Sequence, residues 1–174
     1  MQGLRTGRRG PTLALMSQES DRGFVLAIAA LLDDAVGDLI KAHMIPECTS
    51  ELRKRILKYP GVLASAAARL NVACAFGWIG ADTHHNLRNA KADRNKFAHS
   101  RGPLKFDSAE IKALCEKFRV PDMDGFRPHP PERSSFLLAT QWALLHIWDA
   151  MDRCETPAQH VERPIRRIDS DRTD

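Results

Sequence analysis

Arg94 and His99 close the run Arg94-Asn95-Lys96-Phe97-Ala98-His99, and their types and spacing are the strongest chemical signal in the chain. An arginine can hold an anion and a histidine can move protons near neutral pH, so the pair fits a phosphate-handling site. Leu87, Ala90, Arg94, Phe97 and Ala98 recur at helical spacing. This predicts the second half of a helix with one buried stripe. Asn95 and His99 then stack on one face, with Arg94 on the flank beside the Phe97–Ala98 edge. The same residues also admit an architectural role. A protonated histidine is favoured at a helix end, where the last carbonyls carry partial negative charge. In that role His99 closes the helix and Arg94 pairs with a carboxylate elsewhere. Such pairs are more often architectural than catalytic.

The first helix is the expected source of that carboxylate; it is predicted over 18–41, with Ser20 or Glu19 near its start. There Phe24, Ile28, Leu31, Leu32, Ala35, Val36, Leu39 and Ile40 repeat at helical spacing. Asp33 and Asp34 interrupt this apolar sweep, so one of them should be half buried. An unpaired buried carboxylate costs several kcal/mol or stays protonated, so a partner is required. Arg94 and Arg22 are the candidates, with Arg94 preferred. Arg94→Ala should then lower stability by roughly 2–4 kcal/mol by stranding the acid.

Between these helices, Thr49 or Ser50 caps a short helix broken by Pro60-Gly61. It carries the basic cluster Arg53, Lys54, Arg55 and Lys58, either a solvated face or a nucleic-acid contact surface. A small-residue helix is expected over 62–78, ended by Gly77 and Gly80, with Asp82 or Thr83 capping the next. Adjacent His84 and His85 point in different directions on a helix, so no shared metal site is expected. Helix, Gly-containing turn and helix invite a helix-turn-helix reading. The second helix, however, presents tryptophan, histidine and aspartate at its start rather than a basic, amide-rich recognition face. Asp107-Ser108-Ala109-Glu110 is a capping box opening a helix with Ile111, Leu114, Cys115 and Phe118 inward. A proline-rich loop follows over 120–133, and a last helix starts at Ser134 or Ser135. That helix has one apolar stripe through Phe136, Thr140, Ala143, Leu144, Ile147 and Met151, and a second through Leu138, Trp142 and Leu145. Two apolar sides fit a central helix or a homodimer contact.

The 174 residues suit one domain, and abundant Ala and Leu with few β-branched runs favour helix. The expected architecture is an all-α, single-domain helical bundle of about five to six helices over 17–154. A disordered basic arm is expected over 1–16 and a disordered polar tail over 155–174. The net charge of +4 owes most to Arg5, Arg8 and Arg9 in the arm, so it is weak support for nucleic acid. Cys48, Cys74, Cys115 and Cys154 are widely spaced and read as reduced thiols of a cytoplasmic protein. No apolar run approaches a membrane span, and no Gly-rich phosphate loop or nucleophile elbow appears. Neither metal nor cofactor is expected.

Two patterns are familiar. Glu19-Ser20-Asp21-Arg22-Gly23, Leu31-Leu32-Asp33-Asp34 and Asp93-Arg94-Asn95-Lys96-Phe97-Ala98-His99 together resemble the mannitol operon repressor (MltR) family. Ser65-Ala66-Ala67-Ala68-Arg69-Leu70 through Ala75-Phe76-Gly77-Trp78-Ile79 looks like the family's S-x-x-x-R then A-x-G-x-I stretch. The resemblance covers 19–151. It implies an all-helical bacterial transcriptional repressor without a recognised DNA-reading element, acting on DNA or through a protein partner. With the residue chemistry it gives a non-enzymatic regulator. In it Glu19, Asp21, Arg22, Asp33, Asp34, Arg94, Asn95 and His99 form a polar network fixing the first helix to the Arg94 helix. The alternative follows a second likeness, of Arg94-x4-His99 to the motif of HEPN-domain ribonucleases. It implies metal-independent RNA cleavage, with Arg94 on the scissile phosphate, Asn95 beside it and His99 as acid or base. A carboxylate locked on Arg94 would neutralise the charge this chemistry uses.

Overall fold

The computed structural model describes residues 19–120 and 131–154. The expectations of a disordered arm and tail, and most of the proline-rich loop, lie outside the described residues. Within them the chain forms six helices: α1 Asp21–Ala42, α2 Ser50–Leu57, α3 Ala66–Ala75, α4 Ala81–His99, α5 Ala109–Cys115 and α6 Pro131–Asp152. The all-α bundle expected from composition is the fold observed. Helix α1 packs on α3, α4 and α6; α4 also packs on α3, α5 and α6, and α5 rests on α6.

Local chemistry explains most boundaries. Ser20 caps α1 by accepting from the Gly23 N–H at 3.2 Å, with Asp21 in the first turn and Lys41 in the last. The apolar spacing of α1 buries Phe24, Ile28, Leu32, Ala35, Val36, Leu39 and Ile40 in the core. From α6, Phe136, Thr140, Ala143, Leu144 and Ile147 meet them, as the first stripe requires. An aromatic cluster of Phe24, Phe97, Phe106, Phe118 and Phe136 joins α1, α4 and α6 to the segments flanking α5, with ring centroids 5.5–6.3 Å apart. Helix α2 buries none of its residues and carries Lys54 and Arg55 exposed, with Lys58 exposed just beyond it and Arg53 half buried.

Four boundaries depart from expectation. Helix α3 begins at Ala66, because Ser65 supplies its cap by accepting from the Ala68 N–H at 3.1 Å; Val62 is exposed. Gly80, not Asp82 or Thr83, caps α4. Thr83 is buried, its hydroxyl 2.8 Å from His146 Nδ1, and Asp82 pairs with Arg119 at 2.6 Å. The box at Ser108 does not close on α5, since the Ser108 hydroxyl accepts from the Lys105 N–H at 3.2 Å. Helix α6 starts at Pro131, ahead of Ser134, and the first turn is where a helix tolerates proline.

Candidate functional site

The buried face of α4 is Thr83, Asn86, Leu87, Ala90, Asp93 and Phe97. Arg94 was expected on that stripe, but Asp93 occupies it and Arg94 is exposed. Ala90, Asp93 and Phe97 are spaced three and four apart, as a helix face requires, and this rotation carries the next residue outward. The Arg94 guanidinium donates through Nη1 to Asn95 Oδ1 at 3.1 Å. It makes no ion pair among the described residues. Asn95 and His99 are exposed as well, so the end of α4 presents an arginine, an amide and an imidazole to solvent.

The half-buried aspartate does have its partner, and it is Arg69. Asp33 Oδ1 lies 2.7 Å from Arg69 Nη2, with the arginine side chain only 15% exposed. This corrects the expected Asp33–Arg94 pairing. Gly37, buried on α1, makes room for the contact: a Cβ there would stand 3.0 Å from Arg69 Nη1. Asp34 points to solvent.

The remaining residues of the expected network resolve into separate contacts. Asp21 accepts from Arg133 Nη1 at 2.8 Å and from the Phe106 N–H at 3.1 Å. Arg133 also donates to the Glu19 carbonyl at 3.3 Å and lies 4.6 Å over the Phe24 ring. Arg22 donates to the Ala98 carbonyl at 3.0 Å, a direct tie between α1 and the last turn of α4. The Glu19 carboxylate lies along the first turn of α1, close to Gly23.

Asp93 is different in kind. It has no exposed surface, and neither carboxylate oxygen has a hydrogen-bond partner among the described residues. Burial raises its pKa from the ordinary 3.8 to about 7, opposed by the charge of Lys117. Beside it the Cys115 thiol is pushed up to about 12 by burial, then by Asp93 and Glu132. That thiol is un-ionised at neutral pH and chemically quiet.

The first half of α4 serves the segment after α5. Asn86 donates to the Arg119 carbonyl at 2.7 Å and accepts from its N–H at 2.9 Å. His85 Nε2 lies 2.8 Å from the Lys117 carbonyl, while His84 Nε2 turns to Asn71 Oδ1 at 3.1 Å. The adjacent histidines diverge as helix geometry requires, and burial, then Arg88 and His85, lower the pKa of His84. Among the described residues no group of three His, Cys, Asp or Glu could hold a metal ion.

Between α1, α3 and α4 lies a cavity of about 590 Å³. Leu32, Val36, Leu70 and Leu87 line it, and Asp33, Lys91, Arg94 and Asn95 stand around it. Sequence reasoning missed Arg69, Asp93 and Arg133 as site residues. Only the periodicity of α4 could have revealed Asp93, since it falls in register with Ala90 and Phe97.

No family model matches the chain, and no curated protein matches it by sequence. Among solved structures it is similar to a chain of the X-ray structure of the MtlR-HPr complex from Escherichia coli. The TM-score is 0.54 at 16% identity, over 82% of this chain and 94% of that one. The likeness is one of fold, an all-helical bundle. Among the described residues no helix is long and apolar enough to cross a membrane.

Proposed function

We propose that this protein is a cytoplasmic transcriptional regulator of the mannitol operon repressor type that acts by docking a protein partner. The observation that carries the proposal is the fold shared over 82% of the chain with a chain solved in a complex with HPr. The resemblance of the α1 and α4 motifs to the mannitol operon repressor family points the same way. Helix α4 opens on Asp82, His84 and His85 rather than on the basic, amide-rich start of a recognition helix, so partner binding is favoured over direct DNA reading. The second stripe of α6 belongs to the same proposal. Trp142 and Leu145 are 44% and 51% exposed, and a second copy of the chain would cover them. Titration calorimetry with HPr from the same organism tests the main reading. A saturable micromolar complex is expected, and no heat at 100 μM of either protein would overturn it. Sedimentation of the parent beside Leu145→Glu tests the dimer, which the glutamate should convert to monomer.

A second reading has one observation in its favour. Among the described residues no carboxylate pairs with Arg94, so its charge stays available for a phosphate with His99 on the same end of α4. Incubation with mixed single-stranded RNA in EDTA separates the two. Cleavage by the parent and not by His99→Ala would replace the regulator with a ribonuclease, and intact RNA with both removes that alternative. The exposed Lys54, Arg55 and Lys58, with Arg53, form a nucleic-acid surface only if binding to DNA weakens steeply with salt.

A further inference from the structure

Small residues line part of the cavity between α1, α3 and α4: Ala29 and Ala30 from α1, and Ala66 and Ala67 from α3. Its volume of about 590 Å³ falls within the roughly 300–1,000 Å³ of small-molecule sites. The lining is mainly apolar, but the α4 wall is not. Lys91 and Arg94 project from it one turn apart, and Asn95 stands beside them. Neither cation makes an ion pair among the described residues. Among the described residues the one acid lining the cavity, Asp33, is already held by Arg69 at 2.7 Å and so does not neutralise them. Arg94 uses Nη1 on Asn95 Oδ1, which steadies the guanidinium and leaves its other N–H groups for a ligand. An apolar trough thus ends at two unspent positive charges and a fork of donors.

We infer that this cavity binds a small organic anion, an apolar body carrying one carboxylate or phosphate, with Arg94 and Lys91 on the anionic group. Charge complementarity selects this occupant over a neutral apolar one, because only an anion gives the two cations beside the trough charge-assisted hydrogen bonds. The site lies on α1, α3 and α4, away from the exposed Trp142–Leu145 stripe of α6. It goes beyond the partner-docking proposal, and a regulator with such a site would report a metabolite to its partner.

The test uses the full chain and the fluorescence of anilinonaphthalene sulfonate, an apolar ring system with one anionic group. The parent should bind it saturably, and octanoate and octyl phosphate should displace it. The stronger competitor tells carboxylate from phosphate ligands. Octanol and inorganic phosphate should compete at least tenfold more weakly. Arg94→Ala should weaken binding about tenfold and Arg94→Lys should restore most of it, while Ala30→Phe should fill the trough and abolish it. Arg94 is exposed, so its variants remain informative if Ala30→Phe does not fold. Displacement by octanol as strong as by octanoate, or unchanged binding in Arg94→Ala, would overturn the proposal. So would loss of the signal in Trp142→Ala, which would place the dye on α6. The HPr titration does not use the dye, so either proposal can fail without the other.

Discussion

Asp21 and Asp93 are both acids drawn in beside the aromatic cluster, and they are treated in opposite ways. Asp21, its side chain 21% exposed, meets Arg133 and the Phe106 N–H, so its charge is compensated where it stands. Asp93 is wholly buried with no such partner among the described residues, and its proton is retained up to about pH 7. Two arginines, Arg69 and Arg94, repeat the contrast. Arg69 is consumed by Asp33, whereas Arg94 is left facing solvent. The difference teaches that a charged residue on this bundle is structural where a counter-charge reaches it before water does. A charge left without that partner is a candidate for titration or for ligand.

The largest effect should come from Asp93→Asn at alkaline pH. The folded pKa is raised, so the protonated acid's contribution is complete below 3.8 and is lost as pH rises from there to about 7. Above that the parent carries the full penalty, and Asp93→Asn should be more stable by about 2–4 kcal/mol at pH 8. The gain should vanish near pH 4, as urea denaturation at both pH values would show. Equal stability of parent and variant at pH 8 would mean that Asp93 is compensated after all.

Arg133→Ala comes next, with an expected loss of about 3 kcal/mol, because it strands Asp21 and uncovers the Phe24 ring. Arg69→Ala should cost about 2 kcal/mol, moderated because the Asp33 side chain is 44% exposed and water can reach it. The smallest effect is expected at Arg94→Ala, within about 0.5 kcal/mol of the parent by the same denaturation. If Arg94→Ala were as damaging as Arg69→Ala, the contrast between the two arginines would collapse. The earlier expectation that Arg94 anchors the bundle would then return.

Much was legible before any coordinates. The heptad-like spacing of Phe24, Ile28, Leu32, Ala35 and Leu39 announces an amphipathic helix, because burying an apolar face is the main reason such a helix forms. Ser20 and Thr49 mark the starts of α1 and α2 by the hydrogen bonds their hydroxyls make. The demand that Asp33 find a cation was also visible, since desolvation of a carboxylate does not depend on the fold. The identity of that cation was not. Arg69 lies 36 positions along the chain, and its guanidinium packs beside Gly37, where a Cβ would stand 3.0 Å from Nη1.

The placement of Asp93 and Arg94 shows where local pattern stops. Both lie in a helix whose apolar positions are sparse, so a rotation of one residue decides which is buried, and that rotation is set where α4 packs among α1, α3, α5 and α6. The sequence by itself determined the helical class, the main helices and the need for charge compensation, because these follow from short-range periodicity and solvation. Tertiary structure alone decided which arginine meets which acid, where the bundle leaves a cavity and which charges remain unspent. Those outcomes depend on how helices distant in sequence cross, which no short-range pattern encodes.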